Sequence, residues 1–214
     1  MRIGIFGAGA MADALGTQWA AAGHELMITG RTAGKAQALA SRWGARAGGS
    51  REVAEFADVA LIAVLHQGMV GTLAAIGDAL RDKPIIDCNN PVEVEHFTLV
   101  TPPGRSMAQD IEQATGGHVV KAFNLCHARV WQMRPPVFDH RSLVVPYCGD
   151  NQAALETTRQ LITDIGCDPL PVGDLRHAHH LEAMAAIVIS LLFGGHDAHT
   201  VFNLVDRAVV PASA

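Results

Sequence analysis

The sequence predicts an α/β fold with a doubly wound, mostly parallel sheet and a small C-terminal helical part. Two observations carry this prediction. Short apolar runs alternate with helix-length stretches along most of the chain, which is typical of βαβ units. The run at residues 58–64 is almost continuously apolar, as expected of a strand buried on both faces beneath helices.

Composition limits the kinds of partner. The 214 residues are 49% hydrophobic and 17% charged, which suffices for one compact domain or a large domain with a small companion. A net charge of -5 without a dense basic run argues against nucleic acid and against an anionic membrane surface, so the partner should be a small molecule. Four widely spaced cysteines indicate reduced thiols and a cytoplasmic protein. The longest apolar run, residues 183–195, is too short to span a bilayer.

The first element is a strand, a tight turn and a helix start within residues 3–12. Gly7, Gly9 and Ala12 form the pattern G-x-G-x-x-A, in which the glycines allow the turn and the close approach of a phosphate. The amides at the helix start would favour a pyrophosphate. The alternative is an ordinary strand-to-helix turn. The residues predicted to bind a dinucleotide here are Gly7, Ala8, Gly9, Ala10 and Met11.

The second strand, residues 25–29, delivers Gly30 and Arg31 to its carboxyl end, and Lys35 follows one helical turn later. An NAD-binding unit usually has an acidic residue here for the ribose 2′-hydroxyl. Two cations suit a 2′-phosphate instead, so the sequence favours NADP(H) over NAD(H). The alternative is that both cations are solvated residues at a helix start. A helix over residues 33–43 follows, and Ser50 is expected to cap a short helix.

The next two strands, residues 58–64 and 84–88, should end beside the same ligand, because open α/β sheets bind ligands at their carboxyl ends. A helix over residues 68–80 connects them. A surface histidine and an ordinary Asn-Pro turn are the alternatives. The residues placed at these strand ends are Val64, Leu65, His66, Asn90 and Pro91.

The remaining chain supplies a fourth strand end at residues 119–123, where Phe123 and Asn124 are predicted to reach the cofactor. A strand at residues 143–148 contains a proline, which indicates an edge position. A helix and a short strand follow, and the chain is then expected to be helical to about residue 206, with a break at the Gly194-Gly195 pair. We therefore predict a dinucleotide-binding domain over 1–150 and a smaller part over 151–214 for the acceptor pocket and dimerisation.

Taken together, these pieces resemble one family, the NADP oxidoreductases dependent on the deazaflavin coenzyme F-420, and their bacterial relatives. The matching pieces are residues 2–12, 29–31 with Lys35, 87–91, 120–124, 148–150, and 173–175 with Glu182. The resemblance implies a Rossmann domain, often dimeric, that transfers a hydride between NADP(H) and a deazaflavin or flavin. Some relatives form the reductase module of membrane metalloreductases.

Three positions concern the hydride acceptor. Relatives usually have a proline where this chain has Asp174 and an arginine where it has His179, and the archaeal enzymes tend to have a histidine at the position of Asn124. Asn124 and His127 are candidates to donate to a ring carbonyl, although capping or core roles are alternatives. The predicted acceptor pocket comprises Asn124, Cys126, His127 and Glu182. No catalytic side chain is predicted, because the cofactors carry the reactivity.

Two other functions stay open at this point. A non-catalytic NADP(H) sensor would keep the glycine turn and lose the acceptor pocket. An NADP-dependent reductase of a small imine or carbonyl is the other, since the start of the chain also resembles the pyrroline-carboxylate reductase type.

Histidines near the C-terminus invite a metal hypothesis. His177, His179 and His180 cluster, and His196 and His199 have helical spacing. No cysteine or carboxylate lies at a matching spacing, so no metal is predicted. Residues 183–193 are apolar around most of a helix, which predicts a homodimer in which this helix packs against its mate.

Overall fold

The computed structural model describes residues 1–138 and 140–196, and twelve strands lie within them. Their bounds are β1 Arg2–Phe6, β2 Glu25–Thr29, β3 Arg46–Ala47, β4 Val59–Ile62, β5 Pro84–Asp87, β6 Val92–Glu93, β7 Thr98–Leu99, β8 His118–Lys121, β9 Val137–Phe138, β10 Arg141–Ser142, β11 Val144–Gly149 and β12 Asp168–Pro171.

Eight α-helices connect the strands in the described part of the chain. Their bounds are α1 Ala10–Ala21, α2 Ala33–Trp43, α3 Ser50–Phe56, α4 Met69–Ile76, α5 Met107–Thr115, α6 Ala128–Trp131, α7 Gln152–Thr163 and α8 Ala178–Phe193. Two 3-10 turns, His66–Gly68 and Leu175–His177, precede α4 and α8. Among the described helices, none is long and apolar enough to cross a membrane.

Eight strands form one sheet in the order β12-β11-β8-β5-β4-β1-β2-β3. The six strands from β8 to β3 run parallel, β11 is antiparallel to β8, and β12 is parallel to β11. Alternate residues of each central strand enter two apolar clusters, one on each face of the sheet. Ile3 and Ile5 of β1 join the first cluster, whereas Phe6 joins the second. The prediction of a doubly wound, mostly parallel α/β sheet is therefore confirmed.

Local chemistry explains where element ends differ from the sequence prediction. The helix expected over residues 68–80 is shorter, because Gly77 adopts a φ of 59° that α-helix cannot continue through. Ser50 is the first residue of α3 and Gly49 occupies the cap position, so the expected Ser50 cap is wrong. Ser106, in contrast, caps α5 through a capping box with Gln109.

The edge position predicted from Pro146 is wrong, because β11 lies between β8 and β12. β8 pairs only with Cys148 and Gly149 of β11, so the proline lies on a stretch whose paired neighbour is β12 alone. A missing amide donor is tolerated where a strand has one neighbour. β12 continues the sheet beyond residue 150, and the division into 1–150 and 151–214 stays a prediction. α8 ends at Phe193, before the Gly194-Gly195 pair, and the helix expected beyond it lies outside the described residues.

A brace joins α1 to α2. Gly16 of α1 lies under the Trp43 ring, since a Cβ at Gly16 would meet that ring at 2.5 Å. The Trp43 Nε1–H group donates to Thr17 Oγ1 at 2.9 Å. Arg42 forms an ion pair with Asp13 at the other end of the same contact. α1 and α2, the helix that follows Arg31, are therefore packed as one unit.

Candidate cofactor groove

A groove of about 930 Å³ lies at the carboxyl ends of β1, β2 and β4. β2 and β3 lie on one side of β1, whereas β4 and β5 lie on its other side, so the order of strands reverses at β1. Open α/β sheets bind ligands at such a switch point. The lining residues are Phe6, Gly7, Ala8, Gly9, Thr29, Gly30, Arg31, Thr32, Lys35, Ser50, Ala63, Val64, Leu65, Gln67, Gly68, Gly71, Thr72 and Ala75. A smaller cavity, of about 260 Å³ near the C-terminal end of α1, is lined by none of the predicted residues.

The two glycines of the turn have different tasks. Gly7 adopts a φ of 117°, and a Cβ there would lie 2.1 Å from the carbonyl oxygen of Ala63, so only glycine lets β1 end against β4. Gly9 has a φ of -97°, which any residue adopts, and a Cβ there would meet no atom within 4 Å. Gly9 therefore faces open groove space, where a side chain would occupy the volume of a ligand. This cradle fits a dinucleotide pyrophosphate.

The start of α1 offers unpaired donors beside Gly9. The first intrahelical bond runs from the Asp13 amide to the Gly9 carbonyl, so the preceding amides of the first turn lack a helical acceptor. Gly9 caps the helix without a side-chain bond. The one acidic residue of this turn, Asp13, is bound by Arg42 and Thr17, which limits its repulsion of an anion. A phosphate group fits this helix end.

Arg31 and Lys35 line the groove at the end of β2. Both side chains are exposed. Within the described residues, neither cation has an acidic partner within ion-pairing distance. Gly30 lies against the turn, since its Cβ would meet Ala8 Cβ at 3.0 Å. Thr29 and Gly30, at the end of β2 where an NAD-binding unit usually has an acidic residue, are both neutral. The rim therefore suits a phosphorylated ribose rather than a free 2′-hydroxyl.

Sequence reasoning missed the wall that α4 and its preceding turn contribute. Gln67 and Thr72 supply polar groups to this wall, and Ser50 of α3 lines the same groove. Gly68, Gly71 and Ala75 also line it. The signal was present in the sequence, since small residues at helical spacing indicate a helix face that another group approaches closely.

Several predicted cofactor residues lie outside the groove lining, namely Ala10, Met11, His66, Asn90, Pro91, Phe123 and Asn124. Asn90 and Asn124 bind each other instead. Asn90 Nδ2 donates to the Asn124 carbonyl oxygen at 2.7 Å, and Asn124 Nδ2 donates to Asn90 Oδ1 at 2.9 Å. The carboxyl ends of β5 and β8 are thereby joined. Their contact with a cofactor stays a prediction.

Phe123 has a φ of 62°, an uncommon left-handed conformation for a bulky residue. Its ring is buried between Trp19 and Trp131, with edge-on contacts at centroid distances of 5.9 and 5.3 Å. The two tryptophans hold the strained backbone in place, and the chain turns there to direct Asn124 towards Asn90. Phe123 acts in this structure as an anchor of the turn.

A buried charge network lies next to the Asn90–Asn124 pair. Lys121, Asp87 and Glu182 are all fully buried. Lys121 Nζ lies 2.8 Å from Asp87 Oδ2 and 2.7 Å from Glu182 Oε1, and it also donates to the carbonyl oxygen of Asn89. Both Glu182 carboxylate oxygens accept from the Met107 amide at 3.1 Å, at the start of α5. Both carboxylate oxygens of Glu182, which is predicted in the acceptor pocket, therefore accept from protein groups. A role for Glu182 with an acceptor stays a prediction.

The charged groups in this network shift each other's pKa values. Burial lowers the pKa of Lys121, but the facing carboxylates of Asp87 and Glu182 reverse this effect and the net shift is upward. Burial raises the pKa of Glu182, with Asp87 adding to the effect and Lys121 opposing it. Burial, and then the Asp87 charge, raises the pKa of the neighbouring Cys88 to about 12, so this thiol stays protonated and inert.

The remaining acceptor candidates lie beyond Asn124. Cys126 is half-buried, and burial raises the pKa of its thiol. His127 is exposed and caps α6, since its Nδ1 accepts from the Arg129 amide at 3.2 Å. The capping alternative for His127 is thus observed, and a role for either residue with an acceptor stays a prediction.

The histidine cluster does not form a metal site in the described part of the chain. The metal-compatible group found there comprises Glu93, Glu95 and His96 on the turn between β6 and β7, and not the histidines of residues 177–180. Glu93 accepts from the amides of both other members, so internal bonds explain this group. His199 lies outside the described residues.

Comparison with known proteins shows what this chain is similar to. The family model described as NADP oxidoreductase, coenzyme F-420-dependent, matches residues 2–91, which hold the glycine turn, the Arg31 loop and the α4 wall. Residues 2–91 are therefore similar to this family. The resemblance predicted from the sequence is confirmed over these residues, and so is the prediction of an oxidoreductase with NADP(H) as cofactor.

Two curated relatives match most of the chain. The F-420-dependent NADP reductase of Methanothermobacter thermautotrophicus is 29% identical over 210 residues, and the match covers 89% of each chain. The rat Metalloreductase STEAP3 is 28% identical over 187 residues, covering 86% of this chain. The chain spans only 36% of the length of that relative.

Solved structures show the same fold. A putative F-420-dependent NADP reductase from Arthrobacter sp. FB24 superposes with a TM-score of 0.78 at 23% identity, covering 91% of this chain and 95% of the other. An imine reductase from Streptomyces aurantiacus gives a TM-score of 0.67 at 16% identity, and the match covers 90% of this chain and 62% of the other. At these identities the likeness concerns the fold alone.

Proposed function

We propose that the protein transfers a hydride between NADP(H) and a flavin-type acceptor, either a deazaflavin such as coenzyme F-420 or an ordinary flavin. The observation that carries the proposal is the groove, in which an open glycine cradle and a helix start lie beside the exposed cations Arg31 and Lys35. This arrangement matches the pyrophosphate and the 2′-phosphate of one ligand.

The order of strands gives the ligand a direction. Arg31 follows β2 and Gly9 follows β1, so a dinucleotide that contacts both has its other half on the side of β4, β5 and β8. Its nicotinamide end then lies towards the linked Asn90–Asn124 pair. An acceptor ring must stack within van der Waals distance of the nicotinamide, and we place it beside the predicted pocket residues Cys126 and His127.

The side chains of the protein bind and align in this proposal. When bound, NADP(H) supplies or receives the hydride, and no proton-transferring triad is needed. Arg31 and Lys35 hold the phosphorylated ribose, and the amides at the start of α1 hold the pyrophosphate. The exposed Leu65 side chain at the groove edge provides an apolar wall that excludes water from the bound ligand.

The acceptor is proposed from the whole-chain match to the archaeal F-420-dependent NADP reductase, which covers 89% of both chains. The test is oxidation of NADPH by the purified protein, followed at the absorbance of reduced nicotinamide. The acceptor is varied among F-420, FMN, FAD, a quinone and a ferric chelate. Gly9→Val serves as the control for non-enzymatic oxidation. Turnover with F-420 or a flavin that Gly9→Val abolishes supports the proposal.

Two rival functions predict different outcomes of the same screen. A sensor binds NADPH tightly but oxidises it with none of the acceptors. A reductase of small imines oxidises it only when a cyclic imine or a carbonyl compound is supplied, and this arm is included because solved imine reductases share the fold. Either outcome would overturn the proposed acceptor while leaving the cofactor assignment intact.

We also propose that the protein acts as a homodimer in the cytoplasm. All four cysteines are free thiols, which suits a reducing compartment. On α8, Met184, Ile187, Leu192 and Phe193 expose between 46% and 73% of their surface, an apolar face that a second copy would cover.

Light scattering tests the dimer. Ile187→Glu places a charge in the proposed contact and should halve the measured mass. Leu191→Glu, at a less exposed site on the same helix, is the companion variant. A wild-type monomer at micromolar concentration would contradict the proposal.

A further inference from the structure

The charge network of Lys121, Asp87 and Glu182 has no evident part in holding the cofactor. None of the three side chains lines the groove, and all are fully buried. Burying charges is costly, and apolar residues of similar volume often stabilise a protein equally well. Stability alone therefore does not account for an ammonium between two carboxylates at this place.

Its hydrogen bonds lead to the end of β5. Lys121 Nζ donates to the Asn89 carbonyl oxygen, while Asp87 Oδ1 accepts from the Asn89 amide at 3.0 Å and from Asn89 Nδ2 at 2.6 Å. Asn89 Nδ2 also donates to the Ile62 carbonyl oxygen at 2.9 Å, at the end of β4. The backbone of Asn89 is thus held from both sides, which fixes the position of Asn90.

A second path leads from Glu182 to the end of β8. Asn124 Nδ2 donates to the carbonyl oxygen of Leu181 at 3.0 Å, directly before Glu182 on α8. The same amide donates to Asn90 Oδ1. Lys121 therefore ties together β5, β8 and the first turns of α8, and the Asn90–Asn124 pair is where the two paths meet.

Asn124 leaves one group unused. Both hydrogens of its Nδ2 group have acceptors, which fixes the orientation of the amide, yet its buried Oδ1 atom has no donor within the described residues. An unsatisfied buried acceptor is unfavourable, so a donor from a ligand would be favoured there. The carboxamide of a nicotinamide carries such an N–H group.

We infer that Lys121 is a positioning residue for the nicotinamide end of the cofactor: through Asp87, Asn89 and Glu182 it fixes the Asn90–Asn124 pair, with Asn124 Oδ1 reserved for a donor of the ligand. This inference rests on the proposed binding of NADP(H). It assigns Lys121 no contact with substrate. The network acts on one half of the dinucleotide, and the phosphorylated adenosine half is held independently by Arg31 and Lys35.

The test compares two ligands that both carry the phosphorylated adenosine half. Calorimetry measures NADPH and 2′,5′-ADP, which lacks the nicotinamide, on wild type and on a charge-free triple variant, Lys121→Met with Asp87→Asn and Glu182→Met. We expect 2′,5′-ADP to bind within about twofold of wild type, while NADPH affinity and kcat each fall about tenfold or more, since small displacements of a reacting group are costly. Glu182→Gln, which preserves the shape, should give about a threefold fall in the same two quantities.

Leu161→Ala is the matched control, because it removes a fully buried side chain of α7 and leaves the network intact. It should lower the melting temperature without changing the ratio of NADPH to 2′,5′-ADP affinity. If the triple variant does not fold, Glu182→Gln decides the matter. An unchanged ratio and an unchanged kcat in the folded variants would overturn the inference. A wild-type protein that binds neither ligand would instead overturn the proposed function.

Discussion

The two ends of the proposed cofactor site are built in opposite ways. At the β1 and β2 end, open glycine space, helix amides and exposed cations face the groove, and the contributing residues are close in sequence. At the β5 and β8 end, a buried lysine between two carboxylates fixes an asparagine pair. The carboxylates, Asp87 and Glu182, lie 34 and 61 residues from Lys121 in the sequence. The first end attracts charge, whereas the second end imposes geometry. Binding of the phosphates and alignment of the nicotinamide are therefore expected to be separable by substitution.

The largest effect is expected at the glycine turn. Gly9→Val should weaken NADPH binding by at least about a hundredfold, because the side chain fills the pyrophosphate space. The fold should survive, since Gly9 has an ordinary φ and a Cβ there meets no protein atom. Calorimetry and circular dichroism on one sample measure both properties.

Gly7→Ala is the contrasting variant for this test. Its positive φ and the contact with the Ala63 carbonyl should lower the melting temperature by roughly 5–10 °C. Tight NADPH binding by Gly9→Val would show that the turn is purely structural.

An intermediate effect is expected at the cation rim. Arg31→Ala should weaken NADPH by about 1.5–3 kcal/mol and leave NADH unchanged, because only NADPH carries the 2′-phosphate. Lys35→Ala should have a smaller effect of the same kind. Both losses should shrink at high salt. Equal affinity of wild type for NADPH and NADH would contradict the assignment of Arg31 and Lys35 to the 2′-phosphate.

The smallest effect is a pH dependence of stability, which arises at the β5 and β8 end of the proposed site. The raised pKa of Glu182 means that its stabilising contribution is complete below the unfolded value near 4.5 and is lost as pH rises through the folded pKa. Glu182→Gln does not titrate, so its stability relative to wild type should increase with pH, by no more than about 2 kcal/mol.

Denaturant unfolding at several pH values between 4.5 and 9 measures this difference. Thr158→Val, at a buried hydroxyl on α7, is a control whose difference from wild type should not vary with pH. If the stability difference between Glu182→Gln and wild type is also constant with pH, the pKa of Glu182 is not raised by burial.

The same contrast explains what the sequence could predict. The glycine turn, the strand before it and the helix after it are contiguous, so their pattern alone predicts the Gly7 and Gly9 cradle. The second strand was predicted with its observed bounds, Glu25–Thr29, because an apolar run ends at a Gly-Arg pair there. Local signals are sufficient where a site is built from one βαβ unit.

The network could not be predicted in this way. Asp87 pairs with Lys121 only through the register of β5 against β8, and Glu182 reaches Lys121 only through the docking of α8 on α5. The resemblance to relatives drew attention to Glu182 and assigned it to the acceptor pocket, whereas the structure places its carboxylate on Lys121 and on the start of α5. Partners so distant in sequence leave no periodic pattern.

The brace between α1 and α2 has a consequence for the entropy of binding. Trp43 is held over Gly16 and bonded to Thr17, so the spacing between the helix amides near Gly9 and the Arg31 loop is set during folding. A ligand that bridges two phosphate sites would otherwise have to freeze their relative motion as it binds. We expect the packing of α1 on α2 to remove part of that freedom during folding. Trp43 lies outside the groove lining, yet we expect it to lower the entropic cost of a complex formed there.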